Sequence, residues 1–172
     1  MIGLKRGTVK LNEYDPNWHR SFVQEAKKLK RVFGQDALNI QHVGSTAIRG
    51  ILAKPIIDIG IIVPSLRIAK SYTKKLKDIG YELKPEDKKE RLFFTKGPAE
   101  KRTHYLHLGK IGSGYVEDMI SFRDYLLEHK DIAKQYSQLK TKLAEKYKDA
   151  REVYAQKKKK MIEQIIKRTG KV

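Results

Sequence analysis

The chain has 172 residues, 40% hydrophobic and 9% aromatic, which is enough to build a core and excludes a disordered polymer. Lys and Arg number 38 against 20 Asp and Glu, a net charge of +18. That field favours anionic partners such as nucleic acid or nucleotides, although Lys-rich solvated helices carry the same excess without a binding role. There is no cysteine, so disulfides, thiolate metal sites and thiol nucleophiles are excluded. No apolar run approaches membrane-spanning length, and the expectation is a soluble cytoplasmic protein with no membrane partner.

Residues 1–11 read as an irregular or short-strand lead. Asp15 and Pro16 then supply an N-cap and a first helical position, and Trp18, Phe22, Ala26, Leu29 and Phe33 recur at helical spacing until Gly34 ends the run. Trp18 is expected as a core anchor. Residues 37–43 form an apolar strand that runs into Gly44-Ser45. After Lys54-Pro55 comes a second strand, apolar on both faces except for Asp58.

Pro64-Ser65 ends that strand and caps a helix with Leu66, Ala69, Tyr72, Leu76 and Ile79 on its buried side. A short strand follows at 81–83, then a charged turn over 84–89. Residues 91–96 and 102–108 pair as a hairpin through Gly97-Pro98, the antiparallel part of a mixed sheet. From Ser113 the pattern is helical, in three segments that predict a bundle beside the sheet. The expectation is therefore one α/β (α+β) domain over 1–172, with the sheet within about 1–112 and the helices over about 113–168.

Gly44-Ser45 offers backbone N–H groups and a hydroxyl that can approach phosphate oxygens closely. A lone buried Asp on the next strand must be paired, metal-bound or at a wet strand end. A phosphate site beside a carboxylate is what metal-assisted phosphoryl or nucleotidyl chemistry requires. Alternation puts Asp58 and Gly60 on one face of their strand, and Tyr105 and His107 together on the later one, with His104 opposite. His107 reads as metal ligand, general base or satisfied core imidazole, with the core reading favoured when it is taken alone, and His42 leaves the same choice open. Lys54, Arg91 and Arg102 are phosphate clamps or solvated strand ends. The run Lys157 to Lys160 reads as a solvated helix face.

Several of these pieces carry a resemblance: Tyr14-Asp15-Pro16-x-Trp18, His42-Val43-Gly44-Ser45-Thr46, Gly50-x-x-Ala53-Lys54-Pro55-Ile56-Ile57-Asp58-Ile59, Phe93-Phe94-x-Lys96, Arg102-Thr103-His104-x-Leu106-His107 and Phe122-Arg123-Asp124-Tyr125-Leu126. As an ordered set they resemble the GrpB family. The resemblance implies a nucleotidyltransferase-like mixed sheet with flanking helices and a C-terminal helical bundle. It further implies that Gly44 and Ser45 hold nucleotide phosphate and that Asp58 is the first metal-binding carboxylate of an Asp-x-Asp/Glu pattern. The chain departs from the pattern at Gly60, which has no ligand atom, at Tyr105, where the family usually has His, and at Arg49, where Pro is expected. Arg49 thereby becomes a further candidate for phosphate contact. Some relatives are attached to dephospho-CoA kinase, but this chain has no kinase P-loop.

The resulting expectation is a protein that binds a nucleotide or other phosphorylated ligand through Gly44, Ser45, Lys54, Arg49, Arg91 and Arg102. A divalent Mg or Mn ion on Asp58 and His107 would assist nucleotidyl transfer to an unknown acceptor. The alternative is a catalytically inactive basic module of the same fold that binds nucleic acid or nucleotide. A third reading is an interaction partner that uses the C-terminal bundle.

Overall fold

The computed structural model describes residues 1–85 and 90–170; four residues of the charged turn expected at 84–89 lie outside them. The first helix starts one residue later than expected, with Pro16 rather than Asp15 at the N-cap; Asp15 Oδ1 accepts the Asn17 N–H at 2.9 Å just ahead of it. The helix α1 (Asn17–Phe33) ends at Gly34, which has φ 56°. Its apolar face seats Trp18, Leu29 and Phe33 in the core.

Five strands follow: β1 (Asn39–Val43), β2 (Ile57–Val63), β3 (Tyr81–Lys84), β4 (Arg91–Lys96) and β5 (His104–Lys110). They form one mixed sheet in the order β1-β2-β5-β4-β3, parallel between β2 and β5 and antiparallel elsewhere. The register opposes Asp58 to Tyr105 and Gly60 to His107. Alternation then divides the sheet. Ile57, Ile59, Ile61, Leu106 and Leu108 face α1 and a dry apolar core, while Asp58, Gly60, Tyr105 and His107 face the other way.

The expected helix over 66–79 is two short ones, α2 (Leu66–Ser71) and α3 (Thr73–Asp78), that meet at Tyr72. The Ser71 and Thr73 hydroxyls donate to the carbonyls of Ile68 and Lys70 at 2.7 Å each, a local bonding that competes with a continuous helix. Tyr72 donates instead to Asp36 at 2.7 Å and packs on Phe33.

The C-terminal part is α4 (Tyr115–Glu128), α5 (Lys130–Lys146) and α6 (Arg151–Arg168). A second apolar cluster joins Phe122, Leu126, Tyr136 and Ile165 of these helices to Ile48 and Ile51 of the segment between β1 and β2. The helices therefore cover the second face of the sheet through the motif loop. Among the described residues no helix is long and apolar enough to cross a membrane.

Candidate active site

β1 delivers the chain to Gly44, and Ser45–Ala47 make a 3₁₀ turn. Gly44 has φ 70°, and a Cβ there would stand 2.6 Å from Asp58 Oδ2. Glycine is needed both for its backbone conformation and for this close approach. The antiparallel register opposes Val43 to Asp58, so the Gly-Ser turn and the carboxylate are brought together by strand pairing. Thr46 locks the turn, its hydroxyl 3.0 Å from His42 Nε2 and donating to the Ile56 carbonyl at 3.4 Å. From α4, Arg123 donates to the His42 carbonyl at 2.7 Å and to Gln41 at 2.8 Å.

Asp58 Oδ1 lies 3.1 Å from His107 Nε2. The other ring nitrogen, Nδ1, lies 2.7 Å from the Tyr115 hydroxyl, which accepts from Arg91 at 2.7 Å. The donor count orders this chain: Arg91 donates to Tyr115, Tyr115 donates to Nδ1, and Nε2–H donates to Asp58. Burial alone would raise the Asp58 carboxyl, but the bond from His107, its charge and that of Lys54 offset this and hold it below the usual carboxylate value. Phe93 lies against His107, with ring centroids 5.1 Å apart.

Ser45, Asp58 and His107 open into one cavity of about 570 Å³, whose wall also holds Gly44, Lys54, Arg91 and Tyr115. The far wall comes from the C-terminal helices, including Tyr136, Lys140, Tyr154 and Lys158. Lys54 and Lys158 lie over the same Tyr154 ring, at 5.6 and 5.2 Å from its centroid, and Lys140 lies 4.8 Å from that of Tyr136. Burial pushes the Tyr154 phenol up to about 12.

Lys140 is 1% exposed. Burial, with Lys158 and Lys54 nearby, brings its ammonium down to about 6. Lys54 is also held well below its usual value, by burial and then by Lys158 and Arg151. None of Lys54, Lys140 and Lys158 makes an ion pair among the described residues. Lys140 donates to the Leu52 carbonyl, and Ser137 accepts from the Leu52 N–H at 3.1 Å. Two bonds thus tie α5 to the segment that carries Lys54.

Of the expected site residues, the structure gathers Gly44, Ser45, Lys54, Asp58, Arg91 and His107 around this cavity. Two lie elsewhere. Arg102 is 8% exposed and donates to the Gly97 carbonyl, with Glu82 at 3.6 Å; it holds the β4–β5 turn, and its charge is already met. Arg49 is exposed and does not line the cavity. His42 is a satisfied core imidazole, stacked on Phe22 at 4.8 Å and brought down to about 4 by burial.

The residues fit a divalent ion poorly. Both nitrogens of His107 are engaged here, Nδ1 with the Tyr115 hydroxyl and Nε2 with Asp58. At position 60 a Cβ would stand 2.8 Å from Val116 Cγ1, so α4 fills the space a second carboxylate needs. Among the described residues no cluster of three or more His, Asp or Glu is arranged for a metal.

Lys140, Tyr136, Tyr154 and Lys158 are the site residues that sequence reasoning missed. The Lys157 to Lys160 run was expected to be solvated throughout, yet Lys158 is half-buried and faces the cavity. A signal existed for Lys140: it follows Tyr136 by four positions, on the stripe that packs inward.

The chain matches the family model described as GrpB protein over residues 8–168. It is 37% identical over 171 residues to the glutamate-rich protein GrpB of Alkalihalophilus pseudofirmus, covering 96% of this chain and 98% of that one. The crystal structure of GrpB from Enterococcus faecalis superposes with a TM-score of 0.84 at 32% identity, over 92% of this chain and 98% of that chain. A structure of Cid1 with RNA terminal uridylyl transferase activity superposes at a TM-score of 0.51 and 15% identity, over 76% of this chain and 41% of that one, a likeness of fold alone. The fold is nucleotidyltransferase-like, and the chain belongs to the GrpB family.

Proposed function

We propose that the protein binds a phosphorylated ligand, a nucleotide in the first instance, in the cavity between the Gly44-Ser45 turn and the C-terminal helices. The observation that carries this reading is that Lys54, Lys140 and Lys158 line one cavity from different elements, without an ion pair among the described residues. Asp58 attracts Lys54 without forming an ion pair with it; a buried ammonium without a paired carboxylate is costly, and a ligand that supplies negative charge relieves that cost. The Gly44-Ser45 turn lines the cavity, and its N–H groups and the Ser45 hydroxyl, which also meets Tyr136, are of the chemistry that suits phosphate oxygens; a cavity of about 570 Å³ is of the size that holds a small cofactor or nucleotide. Asp58, His107, Tyr115 and Arg91 form a fixed polar edge beside that phosphate position. His107 accepts one hydrogen bond and donates another, so it can hold a proton at Nε2 against Asp58.

This favours the binding role over two-metal nucleotidyl transfer, because Gly60 and the engaged nitrogens of His107 leave the carboxylate set incomplete. The nucleic-acid reading draws on a different surface. Lys157, Lys160 and Arg168 rim a groove between α5 and α6, outside the main cavity.

Thermal melting with the four nucleoside triphosphates, pyrophosphate and a short single-stranded RNA tests the reading. Ligand-dependent stabilisation by a triphosphate or pyrophosphate that falls about tenfold in apparent affinity in Lys54→Met supports it. No stabilisation by any of these small anions overturns it. Salt-sensitive stabilisation by RNA alone, unchanged in Lys54→Met, assigns the protein to the nucleic-acid reading.

A further inference from the structure

In a metal-assisted phosphate site the cation and its carboxylates neutralise the ligand together. Here the carboxylate beside the Gly44-Ser45 turn is Asp58 alone, whose Oδ1 takes the bond from His107 and whose Oδ2 abuts Gly44; Asp118 and Glu163 line the cavity elsewhere, and Glu163 is paired with Lys159. A second carboxylate has no room at position 60, where Val116 Cγ1 stands 2.8 Å from the place of a Cβ. The packing of Val43 against the same point, at 3.5 Å, closes it from the β1 side as well.

The cationic side is enlarged instead. Lys54 precedes β2, Lys140 lies on α5 and Lys158 on α6, so three separate elements direct ammonium groups into one cavity. Two of the three share one buried aromatic ring and the third lies on another. An aromatic face attracts a cation without neutralising it. The lysines are therefore held in place without a paired carboxylate, so that a bound anion can be met by their protonated amines. Tyr154 and Tyr136 are each 1% exposed, so the platforms are fixed by packing. The two bonds between Leu52 and α5 keep the Lys54 and Lys140 segments in register.

We infer that this cavity binds the di- or triphosphate group of its ligand without a divalent ion, with Lys54, Lys140 and Lys158 in the charge-balancing role that a metal fills in a two-metal site. The inference rests on the anion-binding reading above and specifies how the ligand's charge is met. It also assigns the C-terminal helices a direct part in binding, since Lys140 and Lys158 belong to them.

The test is isothermal titration of the full chain with ATP and with pyrophosphate, once with excess EDTA and once with excess MgCl₂, on the parent, Lys158→Ala and Asp58→Asn. Lys158 is half-buried on a helix surface, so its truncation leaves the fold intact, and thermal melting of the unliganded variant checks this. Affinities that agree within about threefold in EDTA and Mg, and that weaken about tenfold or more in Lys158→Ala but not in Asp58→Asn, are the expected result. Binding that requires Mg and is lost in Asp58→Asn overturns the inference but leaves the anion-binding reading standing. An absence of binding under both conditions overturns the two together.

Discussion

The two faces of the sheet treat a buried charge in opposite ways. On the α1 face, Glu25 is 3% exposed and is met by Lys96 from β4 at 2.6 Å, with Lys28 at 3.4 Å on its other oxygen. Burial would raise the Glu25 carboxyl, but the Lys96 bond and charge offset this and hold it below its usual value. On the face covered by α4, α5 and α6, Lys140 is buried to the same degree and finds only a carbonyl and an aromatic ring. One face closes its charge within the fold, and the other leaves it open to a cavity. The closed pair serves folding. The open lysines carry a cost within the fold, which is what the proposed anion binding would relieve.

Breaking the closed pair has the largest expected effect. Lys96→Met leaves the buried Glu25 with only the longer contact to the more exposed Lys28, and is expected to cost about 3 kcal/mol in urea denaturation. A loss below about 1 kcal/mol would mean that Glu25 is hydrated and that the α1 face is not dry.

Acid acts on the same face. Burial brings His42 and His104 down to about 4 each from the usual 6.5. In the unfolded chain both take up protons near 6.5, so below that pH the unfolded state binds more protons and stability falls. Stability from this source is complete above 6.5 and is lost progressively until about 4, by up to about 3 kcal/mol for each imidazole. Glu25 adds a further loss at lower pH, because its folded carboxyl titrates below the unfolded one. Equilibrium denaturation between pH 4 and 8 measures the slope; a flat profile would show that both rings are solvated.

The smallest effect is expected on the open face. Lys140→Met removes a buried amine that has no carboxylate partner together with the donor to the Leu52 carbonyl, and the two nearly cancel. Stability is expected to stay within about 1 kcal/mol of the parent or to rise. A loss comparable to that of Lys96→Met would erase the contrast between the faces.

Much of this was legible in the sequence, because alternation and capping are local. The i, i+2 rule put Asp58 with Gly60 and Tyr105 with His107 before the parallel register of β2 and β5 joined them across the sheet. Pro16 and Gly34 bounded α1 through their own backbone preferences, one residue later at the start than the sequence alone predicts. The ordered motifs carried the family and with it the fold. What stayed hidden depended on side chains from distant elements. Arg102 looked like a phosphate clamp until Gly97 and Glu82 claimed it. The free face of Asp58 gave no sign that Val116, from a helix more than fifty positions later, would fill the place beside Gly60. Lys140 and Lys158 were lost among many lysines, since a charge at helical spacing reads as solvated unless the opposing wall is known.

The central claim is that the cavity lysines wait for an anion, and proton exchange on binding tests it most directly. With Lys140 near 6 in the unliganded protein, this amine is largely neutral at pH 8, where ATP is almost fully ionised. A bound triphosphate favours the ammonium, so the complex must take up protons from solvent. Calorimetric titration with ATP at pH 8, in buffers of different ionisation enthalpy, is expected to show net uptake that shrinks in Lys140→Met. Binding heats that do not vary with buffer, or net proton release, would contradict the account.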